Sequence, residues 1–215
     1  MLIPRRVTLF CGHYGSGKTN IAVNFARYLK ASGRPTAIAD LDIVNPYFRT
    51  KDSEKELLAE GIDVITLPFA NSSVDLPSLP AEAYSLVQNR GRYAVLDIGG
   101  DDRGAYALGR YVPYLLEEND FDMLYVVNFY RPLTPDAASA LEVLREIEGA
   151  CGLPFTGIVN NSNLGEETTA ESVAVTKGAA EELARIASIP LKMTCARKEI
   201  AAGDQFPLQL QKKYY

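Results

Sequence analysis

Short apolar runs alternate with longer amphipathic stretches along most of the chain. Val7 to Cys11 is one such run, compact enough for a strand buried on both faces, and Gly12 breaks it. From Thr19 the apolar positions change to helical spacing, with Ile21, Phe25 and Leu29 four apart, Ala22 and Ala26 beside them, and Gly33 placed to end the helix. Arg34-Pro35 restarts an extended segment over Thr36 to Leu41. The same reading predicts strands over Ile62 to Leu67, Tyr93 to Ile98, Met123 to Asn128 and Phe155 to Asn160, with a last one near Ile189 to Thr194.

Helical stretches separate most of these strands. Thr134-Pro135-Asp136 predicts a helix start, with a threonine cap and proline at the first helical position, leading into Leu141, Leu144 and Ile147. Thr168 and Glu171 have the spacing of a capping box ahead of Val173, Ala180, Leu183 and Ala184. Strands alternating with helices of this length predict a parallel sheet covered on both faces. The proline- and serine-rich segment Ala70 to Pro80 is expected to be a surface loop, and Phe206 to Tyr215 to pack against the body or fray.

At 215 residues, the chain fits a single domain over 1–215, and 47% apolar against 23% charged residues is too apolar for disorder. A net charge of −5 gives no overall positive field, so nucleic acid and stable membrane association are disfavoured as partners. Lys192, Arg197, Lys198, Lys212 and Lys213 could supply a local basic surface near the C-terminus. Cys11, Cys151 and Cys195 lie far apart with no C-x-x-C, which argues against a zinc or iron–sulfur framework and for a reducing setting. The opening MLIPRRV runs into too brief an apolar stretch for a signal peptide or membrane span, so a cytoplasmic location is expected.

Chemistry concentrates between the first strand and the first helix. Gly12, His13, Tyr14, Gly15, Ser16, Gly17, Lys18 and Thr19 match G-x-x-x-x-G-K-[ST] where the pattern has physical meaning, after a buried strand and before an amphipathic helix. The glycines let the backbone curl with its amides inward around a polyphosphate, and the helix adds its positive end. Lys18 supplies a mobile ammonium for the β- and γ-phosphates, and Thr19 a hydroxyl for Mg2+. A dinucleotide fingerprint fits worse, because its third glycine would fall on Asn20 and Lys18 would go unexplained.

A nucleotide-bound magnesium also calls for carboxylates at the C-terminal ends of neighbouring strands. Asp40 and Asp42 close the second strand, where alternate side chains share one face. Asp97 ends the strand Tyr93 to Ile98 and is followed by Gly99-Gly100, the pattern of a Walker B acid whose glycines approach a γ-phosphate.

Together these residues resemble the CobQ/CobB/MinD/ParA nucleotide-binding group within the SIMIBI class of P-loop NTPases. The resemblance covers most of the chain and rests on Cys11 to Asn20, then Asp40 and Asp42, then Asp97, then Gly157-Ile-Val-Asn-Asn161. It implies an α/β, three-layer P-loop NTPase fold with a mostly parallel central sheet flanked by helices. It also implies an ATP-hydrolysing switch in which Asp42 polarises the attacking water while Asp40, Asp97 and Thr19 serve the metal. Asn161 matches the position whose amide reads adenine, with Asn160 an adjacent candidate, and Asn20 belongs to the loop motif. The implied partners are ATP and either another protein or a second, nucleotide-dependent copy of the chain.

One departure from the group stands out. His13 occupies the place of a second loop lysine that, in MinD and ParA, reaches the partner's phosphates across a dimer. A neutral imidazole is a poorer anion clamp, so hydrolysis that depends on that lysine is not expected here. Arg49 and Arg103 follow the two acidic segments and are candidates to supply the missing charge. A second class of function is a small-molecule kinase or ligase of the dethiobiotin-synthetase and CobB kind. In that reading Ala70 to Pro80 and the Tyr106 to Tyr114 stretch line an acceptor pocket.

Overall fold

The computed structural model describes residues 3–41, 53–66, 81–99 and 108–210. Among the described residues, eight parallel strands form the sheet: β1 (Val7–Cys11), β2 (Thr36–Leu41), β3 (Asp63–Thr66), β4 (Tyr93–Ile98), β5 (Phe121–Val127), β6 (Gly157–Asn160), β7 (Leu191–Arg197) and β8 (Phe206–Leu208). Their spatial order is β3-β2-β4-β1-β5-β6-β7-β8, and the predicted three-layer α/β fold is the one observed. The helices are α1 (Lys18–Ala31), α2 (Glu54–Ala59), α3 (Ala81–Gln88), α4 (Val112–Glu118), α5 (Ala137–Cys151), α6 (Ala170–Val175) and α7 (Lys177–Ala187).

Alternation along the strands divides the core into two layers. Phe10, Ile38, Val95, Leu124, Val126, Val159 and Met193 pack beneath Ile21, Phe25 and Leu29 of α1 and Leu57 of α2. The intervening residues, among them Leu9, Ala39, Leu96 and Tyr125, face Leu86, Leu115, Leu144 and Leu183 of α3, α4, α5 and α7. Strands covered on both faces are predominantly apolar, and β1, with Thr8 its one polar residue, is buried along its whole length.

The order of strands positions the site. From β1 the chain travels outward to β2 and β3, returns through β4 beside β1, and then continues on the other side through β5 to β8. Adjacent strands β1 and β5 therefore feed helices on opposite faces, and their loops part at the C-terminal edge of the sheet. That is the crevice where α/β sheets accept ligands.

Two helix starts differ from expectation. The cap of α5 is Asp136, whose carboxylate accepts from the Ser139 N–H, while the Thr134 hydroxyl donates to the Asn128 carbonyl. The capping box of α6 uses Thr169 and Ser172, while the Thr168 hydroxyl accepts from the Leu164 N–H and donates to the Gly165 carbonyl. In each case a neighbouring oxygen took the cap because a loop needed the predicted one. The end of the described chain is more ordered than its composition suggests. Phe206 stacks near Phe25 and Tyr28, and Asn24 of α1 bonds both the carbonyl and the N–H of Gln209. Pro207 is tolerated because β8 is an edge strand.

At the N-terminal end of the central strand β1, Arg6 is nearly buried and forms a two-pronged ion pair with Glu118 of α4. It also donates to the carbonyls of Leu86 and Val87 of α3 and of Arg92 in the turn before β4. One guanidinium thus closes the end of α3 and anchors α4. Arg6→Ala leaves a buried carboxylate and several buried carbonyls unpaired, and is expected to cost about 3–5 kcal/mol in a urea denaturation series.

Candidate functional site

The loop from Gly12 to Gly17 is built around glycines that no other residue replaces. A Cβ at Gly12 would stand 2.2 Å from the Val126 carbonyl oxygen of β5. Gly15 and Gly17 hold φ of +78° and +88°, in the left-handed region, so the chain reverses tightly before α1 begins. No side chain caps α1, so its first amides, which a helix leaves without intrahelical partners, are not taken up by a cap. Ser16 N–H donates to the His13 carbonyl at 3.2 Å, closing a turn across the loop. Lys18 is almost wholly buried and points its Nζ to the same carbonyl at 3.4 Å, so its charge lies over the loop. Tyr14 is 60% exposed at the tip, His13 and Thr19 are partly exposed, and Asn20 lies in the first turn of the helix.

Two acids join the loop on its own face of the sheet. Asp40 of β2 and Asp97 of β4 are partners in register, and Asp97 is in register with Phe10 of β1. Alternation puts both with Ile38 and Val95, on the side covered by α1. Asp97 is fully buried and Asp40 partly exposed. Asp42, Arg49, Arg103 and Ala70 to Pro80 lie outside the described residues. Thr19, Asp40 and Asp97 together offer hard oxygen donors of the type that suits Mg2+.

The loops after β5 and β6 close the site from the other side. Asn161 donates from Nδ2 to the Ser16 carbonyl at 2.7 Å, and Asn163 donates to the Asn161 carbonyl at 2.7 Å. Asn128, buried at the end of β5, accepts on its amide oxygen from the N–H groups of Tyr130 and Asn163 and donates to the Asn163 carbonyl. Arg131 reaches back to donate from Nε to the Gly15 carbonyl at 2.9 Å. Asn160 points elsewhere. It is fully buried, donates to the Thr176 hydroxyl, and accepts from the N–H and hydroxyl of Ser162. Of the two asparagines, Asn161 is the one at the loop.

Asn128, Arg131 and Asn163 lie outside the sequence motifs that mark the loop and the acids. Asn128 carried a usable signal, a polar residue ending a buried strand, whereas Arg131 lies 116 positions from its carbonyl partner. Tyr111 is buried and Tyr114 packs 5.8 Å from Tyr84, so these two tyrosines belong to the core rather than an acceptor pocket. Lys192 and Arg197 sit at opposite ends of β7, and Lys192 is paired with Asp122, so they do not form one basic patch.

Cys11 ends β1 directly beneath the loop. Burial pushes its thiol up to about 12, with the Lys18 charge only partly offsetting, so it is no nucleophile at neutral pH. All three cysteines are free and buried. A thiol held neutral in the fold but free to ionise when unfolded contributes stability that is complete below about pH 9. That contribution is lost as pH rises toward 12. Urea midpoints are therefore expected to fall between pH 8 and pH 11, and less so in Cys11→Ala.

Comparison with solved structures finds the same architecture. FtsY from Mycoplasma mycoides superposes with a TM-score of 0.56 at 18% identity, covering 91% of this chain and 62% of that one. The cell division protein FtsY from Thermotoga maritima gives a TM-score of 0.56 at 18% identity, covering 98% and 66%. The signal recognition particle 54 kDa protein from Aeropyrum pernix K1, in complex with GDP, gives 0.53 at 17% identity, covering 89% and 41%. The chain thus spans less than two thirds of the length of each. At these identities the likeness establishes the fold alone, a parallel sheet covered by helices on both faces. No family model matches the sequence, and no curated protein matches it.

Because Gly12 faces backbone rather than a movable side chain, Gly12→Ala is expected to destabilise the fold by about 3 kcal/mol or more. Thermal unfolding by circular dichroism measures it.

Proposed function

We propose that the chain is a magnesium-dependent ATP-binding protein that hydrolyses ATP and works as a conformational switch of the CobQ/CobB/MinD/ParA kind. The observation that carries this reading is the intact loop of residues 12–19 between a central strand and α1, with Asp40 and Asp97 side by side on the same face. A polyphosphate there meets inward amides, the start of α1 and the Lys18 ammonium at once. Thr19, Asp40 and Asp97 would hold the magnesium, which neutralises charge on the phosphate oxygens when bound. Asp42 is assigned to orienting the attacking water. In phosphoryl transfer the protein contributes mainly positioning and charge compensation, so a carboxylate that only orients water suffices.

The base preference rests on Asn161. Its nitrogen is committed to the Ser16 carbonyl, so its oxygen is the atom left to meet a base. An oxygen accepts from the adenine amino group and repels the guanine carbonyl at the equivalent position. The loop Asn161 to Asn163 carries no carboxylate to take the paired N–H donors of guanine. This favours ATP over GTP.

The switch reading follows from connectivity. The chain runs from Asp40 and Asp97 straight into Asp42 to Arg49 and Gly99 to Arg103, so a change in what the carboxylates bind is felt first by those segments. A protein partner or a second copy in the cytoplasm would read that change. No helix among the described residues is long and apolar enough to cross a membrane.

Titration calorimetry tests the reading. Wild type is expected to bind ATP with Mg2+ at least tenfold more tightly than GTP. Lys18→Ala is expected to lose ATP binding by a hundredfold or more while its melting temperature stays within about 3 °C. Equal binding by wild type and variant would overturn the proposal. A monomer whose turnover rises with a small-molecule acceptor would move the assignment to the kinase class.

A further inference from the structure

The loop has an internal problem that its own sequence does not solve. A peptide unit carries its carbonyl and its N–H in opposite directions, so an amide points inward only when the preceding carbonyl points outward. The peptides joining Gly15 to Ser16 and Ser16 to Gly17 are flanked by glycines at positive φ, where rotation of the whole plane meets little steric resistance. Ordinary side chains would resist such a flip. Within the loop the Ser16 N–H bond to the His13 carbonyl opposes a flip of the first plane, and groups outside the loop add to it.

We infer that Arg131 and Asn161 are positioning residues that pin these two peptide planes, Arg131 in the orientation whose N–H closes the loop's turn onto the His13 carbonyl, and Asn161 in the one that turns the Gly17 N–H toward the phosphates. This inference rests on the nucleotide-binding reading above. Arg131 Nε donates to the Gly15 carbonyl at 2.9 Å, holding from outside the same plane whose Ser16 N–H donates to the His13 carbonyl. Asn161 Nδ2 donates to the Ser16 carbonyl at 2.7 Å, which fixes the Gly17 N–H. The glycines also make room for their pins. A Cβ at Gly15 would stand 3.3 Å from Arg131 Nε, and one at Gly17 would stand 2.4 Å from Asn161 Nδ2.

The pins are themselves braced. Arg131 N–H donates to the Asn128 carbonyl, and its own carbonyl accepts from the Thr134 N–H, so the turn presenting the guanidinium is closed on itself. Asn161 N–H donates to the Val127 carbonyl, and Asn163 joins Asn161 to Asn128. The side chain of Arg131 is exposed and has no ion pair among the described residues. The charge it brings beside the loop is therefore not cancelled there. It gives this chain a cation near the loop in cis, in a molecule where His13 offers none in its neutral form.

The test is made on the full chain without nucleotide, by amide hydrogen exchange, and then with Mg2+ and tripolyphosphate or ATP by calorimetry. In Arg131→Ala the Ser16 amide is expected to exchange about tenfold faster, while the Val126 and Leu96 amides in the sheet are unchanged. Affinity for tripolyphosphate is expected to fall about tenfold. Arg131→Lys should recover both readouts in part, because an ammonium can still donate to the Gly15 carbonyl. Asn161→Ala should speed exchange at Gly17 in the same way. Unchanged Ser16 exchange in Arg131→Ala would overturn the inference. So would an Arg131→Lys variant that regains affinity without regaining protection, since charge alone would then explain the residue. A wild type that binds neither tripolyphosphate nor ATP would instead overturn the functional proposal, and the exchange result would still decide whether the planes are pinned.

Discussion

Main-chain amides can grip a polyphosphate only if the peptide planes that carry them are held still. Glycine makes the required curl possible and, by the same freedom, makes it easy to lose. The rest of the architecture can be read as an answer to that conflict. A fully buried strand fixes the loop's entrance, a helix begun without a side-chain cap fixes its exit, and two distant side chains fix the carbonyls between them. Carboxylates from two neighbouring strands then stand on the face where charge is needed.

Topology makes this economical in residues. Because β1 lies between β4 and β5, the loop borrows its surroundings from strands that arrive much later in the chain. Asp97 comes from one side, and Asn128, Arg131 and Asn161 come from the other. The asparagine ladder from Asn128 through Asn163 to Asn161 joins the ends of β5 and β6 to the loop. The bonds of Asn160 carry the same connection on to Thr176, at the junction of α6 and α7. Buried amides suit this work, since each can donate and accept without burying charge.

Much of this was legible in the sequence. The strands Val7–Cys11, Thr36–Leu41 and Tyr93–Ile98 have the bounds the sequence predicts, because a doubly covered strand is mostly apolar and is bounded by polar, proline or glycine residues. The position of the glycine-rich loop between β1 and α1 was legible for the same local reason. Helix caps were legible only to within a residue or two, since Thr134 and Asp136, or Thr168 and Thr169, offer equivalent oxygens and loop contacts decide between them. Arg131 left no local trace, because its role is defined by a carbonyl far away in the chain. The short edge strand β8, carrying a proline, looks like a terminus until α1 is in place to receive it.

The measurement that bears most directly on the whole account is a crystal structure with Mg2+ and a non-hydrolysable ATP analogue. The account predicts phosphates against the amides of residues 15–19 and Lys18, metal beside Thr19 on the Asp40 and Asp97 face, and adenine on the Asn161 side. A triphosphate bound away from this loop, or a metal on the opposite face of the sheet, would contradict it.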